Sequence, residues 1–422
     1  MDVIVVGGGP AGSVCATRLV QKGHKVVLFE KATFPRFHLG ESLLPQSLPI
    51  LEAIGMLPKL EASFIRKYGA RFHDDITGRK ERFAFEGAWR PEPDHAFEVP
   101  RDLFDLALLD HARATGVEVR EQWTVEKILH EHGRAVGVEA LAPDGTHHKL
   151  HARFVVDATG REALSARATG TTTKIEGLDQ TALFAQFDGV PRQEGKLAGD
   201  IDIILFPSGD PSHPNWFWLI PFKDGRTSVG AVVSLAWMRD RRSKVGTDTT
   251  ALFERAIAES VTATELLSPR ADGSGATRRW PKAEATAEFS YRVATLTGPG
   301  WVAIGDAGGF IDPLFSTGAH LAMVGGFRAA DAIDAAFAAP EKEHELLGAW
   351  ETNLRAAAET FILAVTAFYR GPLVDMLFAE DKHTALRRSI TSLLAGDVFG
   401  DAVWLRDARV RIKEMISPAS SR

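Results

Sequence analysis

The sequence predicts an α/β chain in which an open, mostly parallel sheet unit is interleaved with a second, sheet-rich domain and followed by a helical C-terminal region. Three observations carry this. Met1 to Val6 is a short apolar run that ends in glycines at positions 7, 9 and 12. A second short apolar run, Trp301 to Ile304, enters another glycine turn far downstream. Between the two lie four strand-like runs, and from Glu341 onward the pattern turns helical. The length of 422 residues points to about three domains at roughly 150 residues each. Hydrophobic and charged fractions of 45% and 25% are ordinary globular values, which exclude disorder and disulfide scaffolds.

The first unit reads strand, glycine turn, helix, strand, acid. Gly7, Gly9 and Gly12 form G-x-G-x-x-G, Ser13 to Lys22 reads as a helix closed by Gly23, and Lys25 to Phe29 is a strand ending at Glu30. Gly7 permits the tight turn, Gly9 lets backbone approach a pyrophosphate, and Gly12 lets helix pack on strand. The helix N-terminus, with Ser13 in its first turn, offers N–H groups and partial positive charge to phosphates. Glu30 stands where a carboxylate grips ribose hydroxyls. This is a Rossmann-like nucleotide site, and the motif alone does not separate FAD from NAD. Arg101 opens a helix, Asp102 to Thr115, and either reaches the pyrophosphate or is a solvated helix-end arginine. Phe154 to Val156 leads into a third glycine turn, Asp157 to Gly160.

Strands of the second domain are Thr181 to Phe187, Ile201 to Phe206, Trp216 to Pro221 and Thr227 to Val233, with a polar loop from Pro207 to Pro214. Asp306 then lies at the end of the Trp301 to Ile304 strand, the usual ligand crevice of an open sheet. Asp312, Pro313, Leu314, Phe315, Ser316, Thr317 and Gly318 follow and open an alanine-rich helix to about Phe337. Backbone N–H groups at that helix start suit an anion; Ser316 also reads as a simple N-cap. Phe361, Ile362, Val365, Phe368 and Tyr369 make one apolar helical stripe, for core packing or as a lid or docking face. The nucleotide domain is therefore expected over residues 1–63, 98–175 and 275–335, the substrate domain over 64–97 and 176–274, and the helical region over 336–422.

The net charge of −6 gives no reason to expect nucleic acid. One cysteine, Cys15, forms no intrachain disulfide and permits a reducing, cytoplasmic setting. No run reaches the roughly eighteen apolar residues of a membrane span, and the apolar N-terminus reads as a strand, not a leader. Arg239 to Lys244 reads as a solvated helix face, and His147, His148 and His151 as surface histidines around a hairpin at Pro143-Asp144-Gly145, with no metal site expected. Aromatic content is lopsided, with twenty-five Phe and nine Trp against three Tyr. Apolar ring surface without hydroxyls suits an interior or a dry pocket.

The nucleotide segments together resemble the para-hydroxybenzoate-hydroxylase-like flavoproteins, which implies FAD in place of NAD, with ribityl chain on Asp306. Trp216-Phe217-Trp218-Leu219-Ile220-Pro221 matches the W-x-W-x-I-P signature of flavin-dependent halogenases. Phe64 to Phe72 resembles the segment that carries their active-site lysine, here Lys67, in the phenol and pyrrole branch. Phe34-Pro35-Arg36 and Gly40 to Pro45, with Ser42, resemble their segment near the isoalloxazine, and Asp312-Pro313 with Ser316-Thr317-Gly318 their halide and flavin loop. Leu393 to Phe399 also resembles that branch. The resemblance implies reduced FAD from a separate flavin reductase, oxygen, chloride or bromide bound at Thr317 and Gly318, and hypohalous acid held by Lys67 for an electron-rich ring. Trp216, Trp218 and Pro221 would wall the route. Tryptophan halogenases carry glutamate directly before S-T-G; here it is Phe315, which favours a phenol or pyrrole, free or on a carrier protein, and leaves Glu41 as a substitute carboxylate. An aromatic hydroxylase of the same fold, an isoprenoid double-bond reductase and a non-catalytic flavin-binding module are the other readings.

Overall fold

The computed structural model describes residues 1–209, 214–269, 275–287, 289–380 and 384–417. Part of the expected 207–214 loop lies outside them. A six-stranded sheet runs in the order Thr297–Gly298, Trp301–Ala303, Phe154–Asp157, Val3–Val6, Val26–Glu30, Glu118–Glu121. All its neighbours are parallel except the first pair. The four central strands are buried almost throughout, as expected for a parallel sheet covered on both faces. Helix Pro10–Gln21 follows the first strand and packs against Thr317–Ala338 and Arg101–Thr115. Gly7, at φ +110°, makes the turn between strand and helix, and a Cβ on it would lie 2.2 Å from Ala158 O.

A larger, mainly antiparallel sheet holds Gln180–Asp188, Thr227–Ser234, Asn215–Pro221, Ile201–Phe206, Gly69–Asp74 and Lys80–Ala84 in that order. Only the pair Ile201–Phe206 with Gly69–Asp74 is parallel. One face packs on helices Leu235–Val245, Thr249–Ala258 and Val261–Leu267. The other carries Trp216, Trp218 and Ile220 into a core shared with helix Glu343–Tyr369, where the apolar stripe from Phe361 to Tyr369 is buried. Trp216 and Trp218 share this face because side chains two apart on a strand point the same way. Ile65–Lys67 and Ala96–Glu98 form a separate two-stranded pair.

The expected elements recur with ends that agree to within three residues. Thr124–Glu131, Arg134–Leu141 and His147–His151 make the expected hairpin sheet. That pairing brings two acids to His147, which the sequence alone did not indicate: Glu126 lies 3.3 Å away and Glu139 stands nearby. The cluster is largely exposed, and Glu139 is paired with Lys127. No helix among the described residues is long and apolar enough to cross a membrane.

Gly230 lies opposite Trp218 in the sheet, and a Cβ there would come within 2.1 Å of the indole ring. Gly230→Ala should therefore displace Trp218 and cost about 1–3 kcal/mol of stability. Thermal unfolding followed by tryptophan fluorescence should show a lowered Tm; an unchanged Tm would contradict this packing.

Candidate active site

A cavity of about 550 Å³ runs from the first glycine turn to the tryptophan strand. At one end Gly7, Gly9 and Glu30 line it. The Glu30 carboxylate is fixed from both oxygens, accepting the Gly8 N–H at 2.7 Å and the Ala32 N–H at 2.8 Å. Gly9 faces open space, since a Cβ there would meet only the Arg36 guanidinium at 3.7 Å. Helix Pro10–Gln21 starts at Gly9 with no side-chain cap, leaving its first N–H groups for a ligand. Gly12 and Ser13 are not among the lining residues. A Cβ on Gly12 would lie 2.0 Å from Gly7 O, and Ser13 Oγ donates to Gly8 O at 2.9 Å, so both shape the loop from behind.

Arg36, Arg101 and Asp306 line the middle. Arg101 is buried and forks onto Asp105 at 2.7 and 3.0 Å while donating to Leu39 O, so it is not a solvated helix end. Burial pushes the Asp306 carboxyl up to about 6, opposed by Arg101 and Arg161. Pro313, Ser316, Thr317 and Gly318 line the wall where helix Thr317–Ala338 begins. Ser316 sits at φ +55°, a left-handed conformation uncommon for serine, and its side chain makes no cap bond. The second helix start is thus also open to the cavity. Two uncapped helix N-termini, an acid held by two backbone N–H groups and a half-buried aspartate along one elongated cavity fit a dinucleotide with a flavin at its far end.

Trp216, Trp218 and Ile220 form the apolar end, whereas Pro221 is not among the lining residues. Trp216 Nε1 donates to Tyr369 Oη at 2.9 Å, and Tyr369 Oη donates to Asp312 Oδ2 at 3.1 Å. Burial pushes Asp312 up to about 7, opposed by the Leu314 N–H and Tyr369. Tyr291 Oη donates to Asp306 O at 2.5 Å. No tyrosine lines the cavity among the described residues, and Tyr291 and Tyr369 stand behind its wall, fixed by hydroxyl bonds.

Lys67 is 2% exposed and does not itself line the cavity. Its Nζ donates to Ser42 Oγ at 2.7 Å and to Leu43 O at 3.3 Å, and Ser42 does line the cavity. The amine lies 5.4 Å from the Phe85 ring centroid. Burial lowers its pKa, opposed by the charges of Glu98 and Asp200. Glu41 lines the same wall and is pushed up to about 7 by burial, with the Ser228 hydroxyl opposing. Phe315 is buried and packs edge-on against Phe368, so no carboxylate enters from that position. Sequence reasoning did not single out Glu98, Asp200 or the Tyr369–Asp312 contact. Each depends on strand pairing or helix docking across many residues.

Residues 87–385 match the tryptophan halogenase family, and residues 5–41 match NAD(P)-binding Rossmann-like domains. The chain is 30% identical to a 1H-pyrrole-2-carbonyl-[peptidyl-carrier protein] chlorinase of Pseudomonas fluorescens, over 94% of this chain and 89% of the relative. It is 33% identical to a tryptophan 2-halogenase of Chondromyces crocatus, over 87% and 67%. The solved structure of the flavin-dependent brominase Bmp2 superposes with a TM-score of 0.85 at 26% identity, covering 98% of both chains.

Because Glu30 both shapes the loop at Gly8 and faces the cavity, Glu30→Ala should weaken FAD binding by about 10–100-fold, at about 1.4 kcal/mol per decade. Flavin fluorescence titration measures it, and an unchanged affinity would remove Glu30 from the cofactor site.

Proposed function

The chain belongs to the tryptophan halogenase family, and on that premise we propose that it halogenates a pyrrole or phenol ring presented on a carrier protein, with Lys67 as the delivering residue. It is an FAD-dependent halogenase. The observation that carries the residue assignment is a lysine buried against the cavity wall, not directed to solvent. An edge-strand lysine with no part in the chemistry would keep its ammonium in water.

Bound reduced FAD supplies, with oxygen from solution, the two-electron oxidation that turns halide into hypohalous acid. The cofactor-binding roles fall to Gly7, Gly9 and Glu30 for the adenosine half and to Arg36, Arg101, Asp306, Pro313 and Gly318 along its length. Thr317 and Gly318 offer N–H groups to chloride or bromide at an uncapped helix start. Trp216, Trp218 and Ile220 keep water from the apolar end, where hypohalous acid would otherwise escape. Ser42 lines the cavity and accepts from Lys67 behind it; the Lys67 amine hydrogen-bonds hypohalous acid that passes this wall and orients its halogen toward the ring.

The carrier-bound substrate rests on the relative that acts on pyrrole-2-carbonyl-carrier protein. Phe315 bears on the ring itself: an apolar side chain stands where tryptophan halogenases have a carboxylate, which suits a ring that is already electron-rich, such as a pyrrole or phenol. A separate flavin reductase supplies the reduced cofactor.

Lys67→Ala should retain FAD yet lose about 100-fold or more of halogenation. Mass spectrometry of products formed from reduced FAD, oxygen, bromide and either pyrrolyl-carrier protein or free phenols reads the result. Hydroxylated product in place of brominated product, or full activity in the variant, would sink the proposal.

A further inference from the structure

Glu98 stands next to Lys67 through two backbone pairings. Ile65–Lys67 pairs with Ala96–Glu98, with Ile65 opposite Glu98. From the other side Ser42 bridges Glu98. Residues opposite one another in a ladder share a face, as do residues two apart on a strand. Ser42, Glu98, Ile65 and Lys67 therefore share one face. Their side chains complete a chain on it: Lys67 Nζ donates to Ser42 Oγ at 2.7 Å, and Ser42 Oγ donates to Glu98 Oε1 at 3.1 Å. Glu98 is fully buried, and its Oε2 has no hydrogen-bond partner among the described residues.

We infer that Glu98 is the positioning residue for Lys67: through the Ser42 hydroxyl its carboxylate fixes the amine and keeps it an ammonium in a dry setting. The inference rests on the reading of Lys67 as the delivering residue. In the delivery step the ring attacks the halogen of hypohalous acid. The carbon–halogen bond forms and the oxygen–halogen bond breaks. The departing hydroxide takes a proton from the Lys67 ammonium and leaves as water. The proton expelled from the ring then restores the ammonium. A neutral amine cannot supply that first proton, so the charge on Lys67 governs the step.

A lysine buried alone sheds its proton readily, because burial disfavours the charged form. The groups that act on this pair come from several elements. Asp200 faces both, and is itself paired with Arg82 at 2.7 Å and accepts the Tyr68 N–H at 3.1 Å. Glu41 adds negative charge from the cavity wall and raises Glu98 further. Burial lowers Lys67 and raises Glu98, while the charge of each opposes the shift of the other. Removing the Glu98 charge leaves Lys67 as the group that must carry its charge without a close counter-ion, since Arg82 already engages Asp200. Its pKa then falls.

Three variants, Glu98→Gln, Ser42→Ala and Lys67→Ala, test this in the FAD-loaded protein with two readouts. One is the Lys67 ¹⁵Nζ resonance in lysine-labelled protein, assigned by its loss in Lys67→Ala, titrated with pH. The other is the pH profile of bromination. Glu98→Gln should move the Nζ titration and the alkaline limb of kcat to lower pH by about one unit, a tenfold change in proton affinity. KM for the ring should stay unchanged. Ser42→Ala, which cuts the link without altering charge, should lower kcat and shift the titration in the same direction, and it carries the test if Glu98→Gln does not fold. Wild-type titration and pH profile in a folded Glu98→Gln, or in Ser42→Ala where that variant carries the test, overturn the inference. Full activity in Lys67→Ala overturns the underlying reading instead, so the two failures are distinguishable.

Discussion

A short backbone ladder joins the cofactor cavity to the lysine. The Glu41 to Leu43 segment runs along Phe97 to Val99: Val99 N–H donates to Glu41 O at 2.7 Å, and Leu43 N–H donates to Phe97 O at 3.0 Å. The same strand pairs on its other edge with Ile65–Lys67. Three segments distant in sequence are thus locked side by side, with Glu41 and Ser42 lining the cavity. Backbone hydrogen bonds fix register, and register fixes which side chains meet. Slipping this ladder by one residue would turn Ser42 and Lys67 to opposite faces and separate the cavity from the amine.

The ladder also explains how so many ionisable groups are tolerated in a dry interior. Lys67, Glu41 and Glu98 are all nearly inaccessible. Burying an unpaired charge costs several kcal/mol, so such groups pair, hydrogen-bond or give up their charge. Asp200 resolves this by engaging Arg82, whose other face reaches solvent. Glu98 and Lys67 resolve it through the Ser42 hydroxyl, which accepts from one and donates to the other. The Oε2 atoms of Glu41 and Glu98 remain without hydrogen-bond partners among the described residues.

Local chemistry made much of the fold legible. The glycine turn with Glu30, the turns at Asp157 and Asp306 and the alternation placing Trp216 with Trp218 are written in neighbouring residues. The Ile201–Phe206 strand keeps its expected ends. What sequence did not disclose is long-range. Glu98 lies in F-E-V-P-R, which reads as a strand end, and nothing local says that Ser42 and Ile65 flank it. Likewise Tyr369, one residue of an apolar helical stripe, meets Trp216 only because helix Glu343–Tyr369 docks on that face of the sheet. Gly12, Ser13 and Pro221 show the opposite case. A motif marks its neighbourhood correctly, while the side or backbone that actually faces the cavity depends on packing.

Phe315 ties these points together. A carboxylate there would have to enter the apolar core formed by Phe315, Phe368 and the surrounding helix. In this chain that core seats Tyr369, whose hydroxyl connects Asp312, just before the S-T-G turn, to Trp216 of the cavity wall. An acid at position 315 would need its own partner or lose its charge, and it would loosen the packing that aligns the loop with the wall. Under the inference drawn for Lys67, Glu98 meets the electrostatic need in its place, on a strand whose backbone is already fixed by two pairings. On that inference the position before the S-T-G turn is free to be apolar, and Lys67 retains a counter-charge without an acid entering the core around Phe315.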